Sequence, residues 1–293
     1  MFPKINFTKF TTFQELKSMI QDIAPHIFNN HFNFPSATSV DDLIFYFRDN
    51  KLMLVQNGDE PELPKRENLL QLDITGQSVF LFSINNQNCF WVEDLSVNGT
   101  DNYLFEEMNF FRTLKRKEMA WIGIVGTQLM NWYTQNKFCG NCGHKTIIQT
   151  NERAIKCPEC SQTVYPRISP AIIVGITAGD KILLARGKNF RSNFYSLVAG
   201  YADIGESLED AVAREVKEEV GIDVTNIRYY KSQPWPFSGS MMIGYWADAD
   251  PNQPIVIDES EIVEAAWFTR GSLPNRPPNL SIAGEMIELF EKG

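Results

Sequence analysis

Four cysteines in two pairs constrain this chain more than any other feature. Cys139-Gly-Asn-Cys142 and Cys157-Pro-Glu-Cys160 stand 14 residues apart. Two C-x2-C knuckles aim four sulfurs at one tetrahedral centre, the pattern of a four-thiolate zinc site with a slightly short spacer. Gly140 and Gly143 are expected to supply the tight backbone of the first knuckle. Two disulfides or two redox pairs would use the same residues; a reducing compartment and the doubling of the motif favour zinc. All four positions are cysteine, so no coordination position stays open, and one zinc per chain is expected to hold structure and do no chemistry. His144 is superfluous as a ligand. The fifth cysteine, Cys89, lies in the apolar stretch 88–92 and reads as a small core residue.

Charge narrows the possible partners. The 293 residues carry 27 Lys plus Arg against 36 Asp plus Glu, a formal charge of -9. Phosphate backbones are gripped by clustered cations, so the chain as a whole is a poor general polyanion binder. Its carboxylates suit divalent cations. No apolar run approaches the roughly 20 residues needed to span a bilayer. The opening MFPKINFTKFTTF lacks a signal-peptide core, and the closing Glu291-Lys292-Gly293 is not a peroxisomal address. A cytoplasmic protein, neither membrane-bound nor secreted, is expected.

The cysteines divide the chain into an N-terminal α+β scaffold (1–135), a zinc ribbon (136–168) and a C-terminal α+β domain (169–293). In the first part a helix is expected over 12–23. Strands are expected over 44–47, 52–56, 79–84 and 90–95, and helical character over 104–132, interrupted at Gly123 and Gly126. In the last part the runs 171–176 and 181–186 read as a hairpin, and 195–199, 227–230, 241–247 and 265–268 as further strands. Helices are expected over 208–220 and 281–290, on the two sides of a mixed sheet.

The first of those helices carries the chemistry. Ser207 can cap it with Asp210 three residues on, and Gly221 can end it in a left-handed conformation. Glu215, Glu218 and Glu219, at spacing i, i+3 and i+4, share one face. Three carboxylates there repel one another unless a cation intervenes, and such oxygen-rich sites select Mg²⁺ or Mn²⁺. Arg214, one turn before Glu218, can pin that carboxylate by a forked hydrogen bond. Leu208, Val212, Val216 and Val220 form an opposite, apolar face.

The wider spacing decides against a merely solvated acidic face. Gly200, then Glu206, then Arg214-Glu215-Val216-Lys217-Glu218-Glu219-Val220-Gly221-Ile222 fit G-x5-E-x7-R-E-U-x-E-E-x-G-U, with U aliphatic. A chance match is on the order of one in ten million at background frequencies. The chain thus resembles the Nudix hydrolases, and the resemblance implies an α/β/α sandwich. Further on, Ser232-Gln-Pro-Trp-Pro-Phe237-Ser-Gly-Ser240 is similar to the SQPWPFPxS motif of the NADH pyrophosphatase subfamily. The ribbon and Tyr165-Pro-Arg-Ile-Ser-Pro170 are two more traits of that subfamily. Ser238 replaces the motif's proline and Gly239 follows it, a departure that bears on fine substrate preference more than on the reaction.

The resemblance implies hydrolysis of the diphosphate of NAD(H), as an NAD(+)/NADH diphosphatase yielding NMN(H) and AMP by attack of water on phosphorus. Glu206, Arg214, Glu215, Glu218 and Glu219 are its catalytic set, without one glutamate singled out as the base. Glu215, Glu218, Glu219, Glu261 and the backbone carbonyl of Ala199 are implied ligands of Mg²⁺ or Mn²⁺, and Cys139, Cys142, Cys157 and Cys160 of zinc. Arg112, Tyr165, the run Gln233, Pro234, Trp235, Pro236, Phe237, Ser238, Gly239 and Ser240, and the backbone at Ala283 match substrate-contacting positions. Tyr201 joins Tyr165, Trp235 and Phe237 as a flat surface suited to a dinucleotide's rings. The partners expected are a small dinucleotide, NAD-capped RNA carrying the same diphosphate, and a second copy in a homodimer. Two other readings use the same residues: a Nudix pyrophosphatase for ADP-ribose or other nucleotide sugars, and a zinc-ribbon nucleic-acid binder with an inactive Nudix domain.

Overall fold

The computed structural model describes residues 19–33, 35, 38–69, 78–93, 103–188, 194–277 and 279–293. They fall into two compact units, one of Ile23–Arg167 with Pro236–Gly239, the other of Ile168–Trp235 and Ser240–Gly293 with the described residues up to Asp22. Among the described residues no helix is long and apolar enough to cross a membrane.

In the first unit, β1 (Phe28–Asn29), β2 (Leu43–Phe45), β6 (Ser78–Ile84) and β7 (Gln87–Val92) form a sheet in the order β1-β6-β7-β2. A second sheet holds β3 (Phe47–Arg48), β4 (Lys51–Asn57), β5 (Glu60–Glu62) and β8 (Tyr103–Glu106). Ile44, Met53, Leu69, Phe80, Phe90 and Val92 form a core cluster there. Cys89 is fully buried, and burial pushes its thiol up, as befits a core residue and not a nucleophile. Three short strands, β9 (Ile147–Ile148), β10 (Ile155–Lys156) and β11 (Thr163–Val164), make the ribbon's own sheet. Arg153 ties the ribbon to this unit by donating to Asn30 and to the Leu81 carbonyl.

The N-terminal expectations need two corrections. Of the helix expected over 12–23, residues 12–18 lie outside the described residues, and 19–23 form a turn and a short extended stretch instead of a helix. Likewise 94–95 of the strand expected over 90–95 lie outside them. The region 104–132 is strand, then a 3-10 turn (Met108–Thr113), then one unbroken helix, α1 (Lys117–Gln135). Its glycines are contact points and not breaks. A Cβ on Gly123 would overlap the Phe111 ring, and one on Gly126 the Phe45 ring.

The second unit is a six-stranded mixed sheet between two helices. Its strands are β12 (Ser169–Ala178), β13 (Lys181–Gly187), β14 (Val198–Tyr201), β15 (Thr225–Trp235), β16 (Ser240–Asp248) and β17 (Ile262–Thr269). The order is β15-β16-β12-β13-β17, with β14 also paired to β12 and only β12–β16 parallel. The continuous apolar run of β12 follows from burial on both faces. Ile172, Val174 and Ile176 pack with Val212, Val216 and Val220 of α2 (Leu208–Val220). Ile173 packs with Met286 and Ile287 of α3 (Ile282–Lys292) on the other side. This is the α/β/α sandwich expected. Pro234, which cannot donate to a ladder, is tolerated because β15 is an edge strand.

Gly126→Ala tests the helix contact. At an exposed helical site this change gains about 1 kcal/mol. Against the fully buried Phe45 ring it should instead lower unfolding free energy by about 1–3 kcal/mol, the scale of overpacking, as read by urea denaturation.

Candidate active site and zinc centre

The ribbon's two knuckles have matching backbones. Cys139 N–H donates to the His144 carbonyl and Gly143 N–H to the Cys139 carbonyl, both at 2.8 Å. In the second knuckle Cys157 N–H donates to the Gln162 carbonyl and Ser161 N–H to the Cys157 carbonyl. Gly143 and Ser161 occupy the same place and both take a left-handed φ, 76° and 61°. Gly140, expected to share this task, has no positive φ; Ser161 is the residue that sequence reasoning missed, because a non-glycine at that place carries no warning. The four cysteines are free, and their sulfurs lie within 4.8 Å of one another, with Cys139–Cys160 at 3.5 Å and Cys142–Cys157 at 3.4 Å. Zinc–sulfur bonds of about 2.3 Å in a tetrahedron put sulfurs about 3.8 Å apart, so the set fits zinc. The Asn141 side chain and the Gln162 N–H hold the Cys160 thiol down, while Cys142, sharing the same quartet, is pushed up. His144 contributes its carbonyl to the knuckle, and its ring is not among the grouped ligand atoms.

In the second unit α2 starts and stops as its sequence requires. Ser207 and Asp210 form a reciprocal capping box, and Gly221 closes the helix at φ 75°. Arg214 is the hub of the polar face. Its guanidinium donates to both oxygens of Glu206 (3.0 and 2.6 Å), to Glu215 (2.8 Å), to Glu218 (3.0 Å) and to the Tyr201 carbonyl (2.9 Å). That forked bond, with the Asp203 N–H, holds the Glu206 carboxyl down to about 2. The three glutamates therefore do not converge on one another. Among the described residues the four cysteines are the one group whose ligand atoms lie so close together.

Glu219 stands apart from the arginine. It is buried, and burial first, then the charges of Glu215, Glu261 and Asp258, push its carboxyl up to about 8. Glu215 is raised for the same leading reason, with Glu218 and Glu261 adding to it. Five carboxylates, Glu215, Glu218 and Glu219 of α2 with Asp258 and Glu261 before β17, are thus linked by one another's charge. That is the electrostatic condition a divalent cation relieves, and the all-oxygen donor set fits a hard one. Asp258 was missing from the sequence reading. Its signal is Asp258-Glu-Ser-Glu261, an acidic run just before a strand, and Ser260 donors hold it ionised. Gly200 explains its own place in the spacing: a Cβ there would overlap the Glu215 carboxyl group. Ala199 lies beside it on β14.

The substrate-contacting positions are more scattered. Ser232–Trp235 is the end of β15, with Trp235 opposite Ser240 at the start of β16. Only Pro236–Gly239 is turn, closed by Gly239 N–H to the Pro236 carbonyl, with Gly239 at φ 67°. The glycine beside the Ser238 departure is thus what the turn requires. Arg112 stacks over Phe237, its guanidinium 3.8 Å from the ring centre, and burial lowers its pKa. Gln233 is fully buried and its amide serves the fold: Oε1 accepts from Ile282 N–H at 2.7 Å, and Nε2 donates to Gln21 and to the Leu280 carbonyl. It anchors the start of α3, next to buried Ala283, instead of facing solvent. Tyr165, Tyr201 and Ser238 are exposed, Pro234 and Trp235 are half-buried, and Pro236 and Ser240 are buried.

Known proteins share these features. The NUDIX domain model matches residues 166–290, the NADH pyrophosphatase zinc ribbon domain 135–165, and the NADH pyrophosphatase-like rudimentary NUDIX domain 41–132. The chain is similar to the NAD-capped RNA hydrolase NudC of Pseudomonas aeruginosa, 45% identical over 164 residues, which are 56% of this chain and 59% of that protein. Against the protein of the same name from Escherichia coli the figures are 45% over 163 residues, 56% and 63%. The alignment therefore spans 59–63% of the length of these curated relatives. Among solved structures, a NUDIX hydrolase from Nitrosomonas europaea aligns at 23% identity over 47% of this chain and 80% of that one, with a TM-score of 0.42.

Two outcomes follow from the geometry. Cys157→Ser should lose about one zinc per chain by elemental analysis and lower the melting temperature, because metal binding and folding are coupled; zinc retained at the wild-type level would contradict the site. Gly200→Ala should displace the Glu215 carboxyl, weaken Mn²⁺ binding at least about tenfold by calorimetry, and leave the zinc content unchanged.

Proposed function

The chain belongs to the Nudix family by its domain at 166–290, joined to a ribbon and an N-terminal domain of the NADH pyrophosphatase type, and from that premise we propose that it hydrolyses NAD(H). Water adds to one phosphorus of the diphosphate and the bridging P–O bond breaks, giving NMN(H) and AMP. The observation that carries this is the complete, Arg214-ordered set of box carboxylates with Glu219 buried beside Glu261 and Asp258. An inactive domain would not need that arrangement. The names of the similar proteins support NAD-capped RNA as a second substrate, since the cap has the same diphosphate.

In this reading Glu215, Glu218, Glu219, Glu261 and the Ala199 carbonyl would hold Mg²⁺ or Mn²⁺. Bound there, the cation neutralises the diphosphate and makes water acidic. Arg214 sets the orientation of Glu215 and Glu218 through its fork, and Glu206 sets Arg214. One of the α2 glutamates takes the proton from the attacking water. The flat side chains of Tyr201 and, by the family resemblance, Trp235 would contact the dinucleotide's rings from the second unit, and Tyr165, Phe237 and Arg112 are the substrate-contacting positions that the resemblance implies in the first. Gln233 acts by placing the first turn of α3 and the Ala283 backbone. Residues 169–293 do the chemistry, 136–168 hold zinc, and 1–135 serve as scaffold. Thiols kept reduced for zinc suit the cytoplasm, and a homodimer is the assembly the family resemblance implies, checked by sedimentation.

The decisive experiment is chromatographic product analysis with NADH, NAD⁺, ADP-ribose and NAD-capped RNA side by side. NADH should give NMNH and AMP. Glu215→Gln and Glu219→Gln should each lower kcat by roughly a hundredfold or more with the fold intact, since charge is removed and shape kept. Wild-type-like rates in either variant would sink the metal-site assignment. A wild-type preference for ADP-ribose would replace the substrate and leave the phosphorus chemistry standing.

A further inference from the structure

The ribbon's charge is opposite to that of the chain that carries it. Residues 135–167 hold Lys137, Lys145, Arg153, Lys156 and Arg167 against Glu152 and Glu159, a net +3 within a chain of -9. Position matters more than the sum. Arg153 is spent inside, and Lys137 is paired with Glu93 at 2.8 Å. Zinc on four thiolates carries a formal −2 at the knuckles. The exposed cations left over are Lys145, Lys156 and Arg167, of which Lys156 lies on the ribbon's sheet and Lys145 beside it.

That sheet has one dry face and one open face. Ile155 is buried and lies between Ile148 and Val164. In the adjacent row Ile147, Lys156 and Thr163 stand opposite one another, so the three share the other face. Lys145 and Tyr165, each two residues along an extended chain from that row, fall on the same side. Phe138 is bridged directly to Lys145. Phe138, Ile147 and Tyr165 are 66%, 54% and 55% exposed, and Lys145 and Lys156 are exposed beside them. Neither Glu152 nor Glu159 lies on a strand of this sheet, although Glu152 accepts from the Tyr165 hydroxyl at 3.4 Å. Large apolar side chains in open water are costly and mark a contact surface. Two aromatic rings and an isoleucine beside two exposed lysines that form no ion pair among the described residues suit one kind of partner, a strand with flat bases and a phosphate on every unit.

We propose that the open face of the ribbon sheet, Phe138, Lys145, Ile147 and Lys156 with Tyr165, binds single-stranded nucleic acid. This goes beyond hydrolysis of a dinucleotide: it gives the ribbon a grip on the polynucleotide that a capped end would carry. Its test uses uncapped strands, so its failure and that of the hydrolase reading are separate results.

The measurement is fluorescence anisotropy with a labelled, uncapped RNA of about 12 nucleotides and the DNA of the same sequence, using the full-length, zinc-loaded protein from about 50 to 200 mM salt. Wild type should bind. Lys145→Gln/Lys156→Gln should bind at least about tenfold more weakly and lower the salt slope by about 1.4, at roughly 0.7 per phosphate contact on a single strand. Phe138→Ala should weaken binding about tenfold with the slope unchanged, because stacking releases no counterions. Zinc content and turnover of free NADH should stay at wild-type levels in all of these. RNA bound more tightly than DNA would identify the ribose as part of the contact, and equal affinity the shared phosphate and bases; either supports the surface. No binding by wild type at the lowest salt, or unchanged binding by the double variant, would overturn the proposal. So would a change of oligomeric state in the variants with RNA affinity intact, which would make the face a protein interface.

Discussion

Arg214 is bonded to Glu206, Glu215 and Glu218 at once, and the order of the polar side of α2 is built on that guanidinium. Glu215 and Glu218, within one turn of each other, would otherwise splay apart, since like charges at this spacing destabilise a helix. A planar donor with five N–H groups can satisfy several carboxylates together, which an ammonium cannot do with the same geometry. Its remaining donor reaches the Tyr201 carbonyl and so couples the helix to β14, where Gly200 makes room for the Glu215 carboxyl. Strand, helix and carboxylates are one mechanical unit. Glu219 lies outside the arginine's reach, so burial and neighbouring charge oppose its ionised form with no cation to offset them, whereas at Glu215 the same opposition is partly offset by Arg214.

The same logic explains what could be read from the residues in advance. The limits of α2 come from local chemistry: a capping box at Ser207 and a left-handed glycine at 221 act within a few residues of themselves. The zinc ligands are legible for a similar reason, because short spacing leaves four thiols few ways to avoid one another. What stayed hidden was set by tertiary contact. Gly123 and Gly126 look like helix breakers, but each is the flat place where a distant ring, Phe111 or Phe45, lies on α1. Pro234 and Pro236 bracket Trp235 and make the segment 232–235 look like loop. Its place at a sheet edge, where a missing N–H costs nothing, cannot be seen from the segment itself. Asp258 was passed over because its importance comes from facing Glu219 across a loop, not from any spacing.

Gln233 shows how a motif residue can act without touching a ligand. Two buried polar links hold α3 against β15. In one, the Gln233 amide takes the Ile282 N–H, a donor that helix geometry leaves without a partner inside the helix. In the other, buried Glu285 accepts from Tyr230 at 2.5 Å and from Lys231 at 3.1 Å. A buried ion pair of this kind adds little net stability over apolar packing, and an apolar pair would allow the helix to slide. Hydrogen bonds do not slide. Together they fix both the depth and the rotation of α3 relative to the strand that leads into the Pro236–Gly239 turn. Chemistry at a site depends on reacting groups held to within fractions of an ångström. A strand and a helix pinned to each other at two buried points supply that constancy, and this chain departs from the motif beyond them, at Ser238 in the Pro236–Gly239 turn.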